Sequence, residues 1–141
     1  MEISKSENST INNIFLSKGE SYFRHLESKI VIKSLDHKNI IISLGGGSIL
    51  NEKIRDKLIS NSITVFLDVK LNELNKRLIH SHKRPLIKNT NIYLKLKELD
   101  TQRRKYYLKA DIRIQNVNSI NESYLNFIEI FSKLNDKKNK N

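Results

Sequence analysis

The groups able to do chemistry in this sequence are glycines and arginines. Gly45, Gly46 and Gly47 follow directly on the aliphatic run Ile40-Ile41-Ile42-Ser43-Leu44. Residues without Cβ atoms let bare backbone approach whatever lies beyond the carboxyl end of a sheet, where open α/β sheets bind ligands. Asn51 then reads as an N-cap for a helix over 52–59, so amides of the turn and of the helix start can face an anion. Taken alone, three glycines serve a tight strand-to-helix turn equally well. Arg24 and Glu27 are three apart, close enough on one helix for the carboxylate to hold the guanidinium in a fixed orientation, although a decorated helix surface has the same spacing. Arg77 falls near the end of a helical pattern, and Arg84 sits in a basic stretch, His80 to Asn91, that holds the only proline. His80 and His82 have no carboxylate or cysteine beside them, and the chain lacks cysteine altogether, so no metal site, disulfide or thiolate is expected.

The elements that must position these residues follow from periodicity. Ser9 caps a short helix with Ile11, Ile14 and Phe15 on one face, and Gly19-Glu20 leads into a longer amphipathic helix through Phe23, Leu26, Ile30 and Leu35. The Ile40 run predicts a strand buried on both faces, the form found in parallel sheets flanked by helices. After the helix over 52–59 come a strand over 63–67 ended by Asp68 and a helix carrying Leu71, Leu74, Leu78 and Ile79. The aperiodic basic stretch reads as a mobile loop. A helix over 92–107, a short strand over 110–115 and a last helix from Ser119 with Tyr124, Phe127, Ile128, Phe131 and Leu134 inward complete one domain over 1–135, with 136–141 a disordered basic tail.

At 141 residues the chain has room for one core and not two. Its net charge of +11 raises the question of nucleic acid, and an RNA-binding module would show steep salt dependence. The lysines are scattered among Asn, Ile and Ser with no recognised binding motif, so no nucleic-acid partner is expected. No apolar run approaches membrane-spanning length and the start lacks the order of a signal peptide, so a cytoplasmic monomer with no membrane partner is expected.

Four motifs carry a resemblance to one family. Gly19-Glu20-Ser21-Tyr22-Phe23-Arg24-His25-Leu26-Glu27 resembles the GExxFRxxE helix of shikimate kinases, and Ile42-Ser43-Leu44-Gly45-Gly46-Gly47 is similar to their strand and triple-glycine turn. Arg84-Pro85-Leu86-Ile87 resembles their RPLL lid, and Arg103 to Tyr107 followed by Ala110-Asp111 their RxxxY…AD segment. The resemblance implies an α/β fold, the three-layer parallel sheet of P-loop kinases, and transfer of the γ-phosphoryl group of ATP, with Mg²⁺, to the 3-hydroxyl of shikimate on the way to chorismate and aromatic amino acids. It implies that Arg24 and Arg103 grip the shikimate carboxylate, that Glu27 orients Arg24, and that Gly45, Gly46 and Gly47 admit shikimate to the backbone. It further implies that Arg84 stabilises charge developing during transfer and that Arg77 lies against adenine.

One departure is large. The phosphate cradle of such kinases has the pattern G-x-x-x-x-G-K-[ST], and none of the four glycines here is followed by Lys. Laid on the family's pattern, Met1 falls after the first strand-helix-strand unit, so the sheet is expected to lack that unit of roughly 30 residues or more. The expectations are a truncated, inactive shikimate kinase, poorly folded because the Ile40 and Ile63 strands would face a missing neighbour; the rival is a non-catalytic descendant that binds shikimate or a partner.

Overall fold

In the computed structural model, which describes residues 2–79, 91–116 and 119–138, the chain forms two compact units. The described part of the first unit is residues 2–62 and that of the second is 63–79, 91–116 and 119–138.

The first unit opens with α1 (Glu2–Ser6), too short to show a period in sequence, and continues into α2 (Ile11–Ser34). Thr10 caps α2 by accepting from the Asn13 N–H at 3.2 Å. Within α2, Gly19 leaves helical geometry at φ 81° and ψ 170°, a conformation suited to glycine, so the expected division into a short and a longer helix lies where the sequence puts it. Ile3 packs with Ile14 and Phe23 in one buried cluster, and the Phe15 and Phe23 rings meet at 4.6 Å. A second cluster joins Val31 of α2 and Leu35, its C-cap, to Ile54 and Leu58 of α3 (Glu52–Asn61). Asn51 caps α3 by accepting from the Ile54 N–H at 3.2 Å, and its side-chain amide donates to Ser28 Oγ at 3.1 Å, tying the helix start to α2.

The strand expected at Ile40 to Leu44 is not formed: these residues have no regular structure. Ile42 and Leu44 are half-buried against the second cluster while Ile41 is fully exposed, so the stretch alternates as a one-sided strand does instead of being buried on both faces. The reason is that a strand needs a neighbour for its ladder of hydrogen bonds, and no described segment pairs with it.

The second unit is built on a parallel pair, β1 (Val65–Asp68) and β2 (Ile112–Gln115), in register from Val65↔Ile112 to Asp68↔Gln115. Ile112 and Ile114 are buried and Val65 and Leu67 exposed, so of the two strands β2 is the covered one. Thr64 and Asp111 lock the start of the ladder: the Thr64 N–H and hydroxyl donate to Asp111 Oδ2 at 2.7 and 2.6 Å, and the Asp111 N–H donates to Thr64 Oγ1 at 3.0 Å. The crossover passes through α4 (Leu71–Ile79) and α5 (Ile92–Tyr107), and the Tyr107 ring stacks on Phe66 at 5.0 Å. Ser119 and Glu122 exchange 3.2 Å hydrogen bonds as a capping box for α6 (Ile120–Lys138), which runs past residue 135, where the sequence places the tail. Among the described residues no helix is long and apolar enough to cross a membrane.

Candidate functional site

The second half of α2 brings Arg24 and Glu27 to the glycine turn. Arg24 Nη1 donates to Glu27 Oε2 at 2.7 Å, and its Nε and Nη2 donate to Glu20 Oε1 at 3.3 and 3.2 Å. Glu27 is buried at 5% exposure, whereas the Arg24 side chain keeps 29% of its surface open, so the carboxylate forms the fixed base and the guanidinium the accessible face. The turn closes through Ser48 N–H to Gly45 C=O at 2.9 Å and Leu50 N–H to Gly47 C=O at 3.1 Å, with a 3₁₀ turn over Ser48–Leu50. A Cβ on Gly45 would lie 2.5 Å from Glu27 Oε1, and one on Gly47 would lie 2.6 Å from Arg24 Cζ. The glycines are therefore needed for close packing of α2 side chains on the turn.

Arg24, Glu27, Gly47, Ser48 and Asn51 line a cavity of about 450 Å³. The Ser48 hydroxyl is buried there without a hydrogen-bond partner among the described residues, an uncommon state for a polar group in a folded chain. A guanidinium has five N–H donors. Three of them are engaged by Glu20 and Glu27, which leaves one N–H on each terminal nitrogen for a planar anion.

In the second unit, α5 presents two adjacent arginines with different surroundings. Arg104 donates to Asp68 through both terminal nitrogens, at 3.3 and 3.1 Å, and reaches Asp100 at 3.4 Å. Arg103 has a buried Nε without a partner among the described residues. Arg113 also grips Asp68, with Nε at 2.9 Å, so a carboxylate only 8% exposed at the end of β1 serves two guanidinium groups. Burial alone raises the Asp68 pKa, but the hydrogen bonds from Arg104 and Arg113 outweigh it and hold the carboxyl below the ordinary aspartate range. Sequence spacing missed this cluster, because Asp68 is 36 residues from Arg104 and 45 from Arg113. The one available signal was an aspartate closing a strand.

Among the remaining expected site residues, Arg77 is exposed and donates to the Asn116 carbonyl at 3.0 Å. Gly46 belongs to the same turn as its neighbours. Arg84, Pro85, His80 and His82, and with them the mobile-loop expectation, lie outside the described residues. The Mg²⁺ site and the glycine-rich phosphate cradle that the resemblance implies have no counterpart among the described residues. Among the described residues no three His, Cys, Asp or Glu gather to hold a metal, and these 141 residues contain no G-x-x-x-x-G-K-[ST] turn.

Comparison with known proteins points to one family. A family profile described as shikimate kinase matches residues 1–134. A shikimate kinase of Persephonella marina is 39% identical over 113 residues, covering 80% of this chain and 68% of the relative. One of Rippkaea orientalis is 39% identical over 105 residues, covering 74% of this chain, which spans only 56% of that relative's length. The solved structure of a shikimate kinase from Acinetobacter baumannii in complex with shikimate superposes with a TM-score of 0.85 at 27% identity, over 96% of this chain and 76% of that one. With a profile match over nearly the whole length and relatives at this identity, the chain belongs to the shikimate kinase family.

Proposed function

We propose that this chain is the acceptor-binding portion of a shikimate kinase, acting as a cytoplasmic monomer. The observation that carries the reading is the Arg24 guanidinium, seated on Glu27 at 2.7 Å and packed on Gly47, with two donors left open in a cavity of about 450 Å³. A carboxylate entering there takes those two N–H groups as a planar pair, and Glu27, fixed by burial, keeps them aimed. Arg103 is proposed as a second shikimate-binding guanidinium on the family resemblance. Gly45 and Gly47 serve the acceptor by seating Glu27 and Arg24 against the turn, and Gly46 is proposed to admit it to the backbone.

In the reaction so assigned, shikimate gives its 3-hydroxyl to the γ-phosphoryl of ATP. Arg84 is proposed to balance the charge that develops between them, and Arg77 to lie against adenine. A second reading is shikimate binding without turnover by these 141 residues, in which no G-x-x-x-x-G-K-[ST] turn occurs. Isothermal titration with shikimate tests the shared part: Arg24→Ala weakens binding by about tenfold or more, the worth of a charged hydrogen-bond pair. Shikimate-dependent ADP release by the 141-residue polypeptide separates the two readings. Turnover overturns the second, and binding without turnover supports it.

A further inference from the structure

We propose that the groove between the second half of α2 and the start of α3 binds a small polyanion carrying two or more phosphate groups. The groove has a volume of about 830 Å³, the size of a small-molecule site, and lies within the first unit. Its wall is a row of basic side chains. His25, Lys29 and Lys33 succeed one another four residues apart on α2, about 6 Å of helix per step, and Lys53 faces them from the first turn of α3.

Like charges four apart on a helix destabilise it by a few tenths of a kcal/mol. Four helical lysines elsewhere have an acid beside them, Lys5 by Glu2, Lys76 by Glu73, Lys95 by Glu98 and Lys133 by Glu129, whereas Lys97 and Lys105 of α5 stand apart on a face with no facing lysine-lined groove among the described residues. Lys29, Lys33 and Lys53 are paired with no carboxylate of the described residues. The two acids at the groove do not neutralise it. Asp36 is held by Lys57 at 2.6 Å, which leaves Glu52 alone against three lysines, and Arg24 is already balanced by Glu20 and Glu27. Lys29 and Lys33, about 6 Å apart along the helix axis, with Lys53 opposite them, match a chain of phosphates or a bisphosphate better than a single phosphate, which reaches one step of the row. Arg24, Ser28 and Asn51 border this groove and the smaller cavity alike, so the polyanion would lie next to the acceptor without sharing its seat.

The test needs no shikimate, so its outcome is independent of the acceptor reading. The full chain is titrated by calorimetry with inorganic tripolyphosphate and with orthophosphate at matched ionic strength. The expected result is one tripolyphosphate per chain, bound at least about tenfold more tightly than orthophosphate. Lys29→Gln with Lys33→Gln weakens it about tenfold, and Lys53→Gln alone weakens it in the same direction, each with an unchanged amide NMR spectrum elsewhere. A control pair on α5 and beyond, Lys97→Gln with Lys109→Gln, changes it less than about twofold. Equal loss in the control pair would show mere attraction to the overall charge and overturns the site. So does an absence of preference for tripolyphosphate, or tighter binding of a single-stranded RNA oligomer that ignores Lys53→Gln.

Discussion

The Arg24 guanidinium rests on the α-carbon of Gly47, so closely that a methyl group on Gly47 would come within 2.6 Å of Cζ. Gly47→Ala must therefore push Arg24 off its seat, and Gly45→Ala must do the same to Glu27, whose Oε1 would be 2.5 Å away. Each is expected to weaken shikimate binding about tenfold to a hundredfold in calorimetry, as the loss of a charged hydrogen-bond pair does. Gly19→Ala is the contrast: its φ of 81° strains an alanine, but nothing lies within 4 Å, so it lowers thermal stability by about 1 kcal/mol and leaves binding unchanged.

Asp68 makes stability depend on acid. Its folded pKa is lowered, so its contribution is complete above the unfolded value of about 4 and drains away as the pH falls through the folded one. Asp68→Asn is expected to cost about 2 kcal/mol at neutral pH, because two guanidinium groups lose their charged acceptor. Denaturant melts from neutral pH to pH 2 should converge for variant and parent at the acid end; a constant gap would contradict the assignment.

Thr64 and Asp111 close the start of the β1–β2 ladder with three hydrogen bonds. Asp111→Ala and Thr64→Ala should each cost about 1 to 2 kcal/mol. The double variant should cost less than their sum, because both act on one contact, and chemical denaturation of the four proteins in the cycle measures the difference.

Exposed aliphatics predict self-association. Ile41 is fully exposed beside a stretch without a ladder partner, and Val65 and Leu67 lie open on β1. Ile41→Thr with Leu67→Thr is expected to raise the temperature at which light scattering sets in, with shikimate affinity unchanged. If scattering is unaffected, these side chains are not where association starts.

What could be read from sequence was local. Gly19, Asn51 and Ser119 marked helix ends because a cap acts within three or four residues. Arg24 and Glu27 were legible as a pair for the same reason, one turn apart on a helix. The Ile40 run misled because aliphatic content signals a strand, while the ladder depends on a neighbour that local pattern does not report. α1 escaped because five residues show no period, and it is held by Ile3 packing on residues 11 and 20 positions away. The Ala110-Asp111 motif was visible as a resemblance, but its work at Thr64, 47 residues away, needed coordinates. Arg84 lies outside the described residues, and its role rests on the family alone.

Glu27 has one carboxylate oxygen on Arg24 and the other against the space beside Gly45, so the length of this one side chain gauges the gap between helix and turn. Aspartate there, one carbon shorter, would have to let go of one neighbour to keep the other. Positions 24, 27 and 45 should accordingly drift together or not at all, and a variant library that changes them singly should recover far fewer binders than one that changes them as a trio.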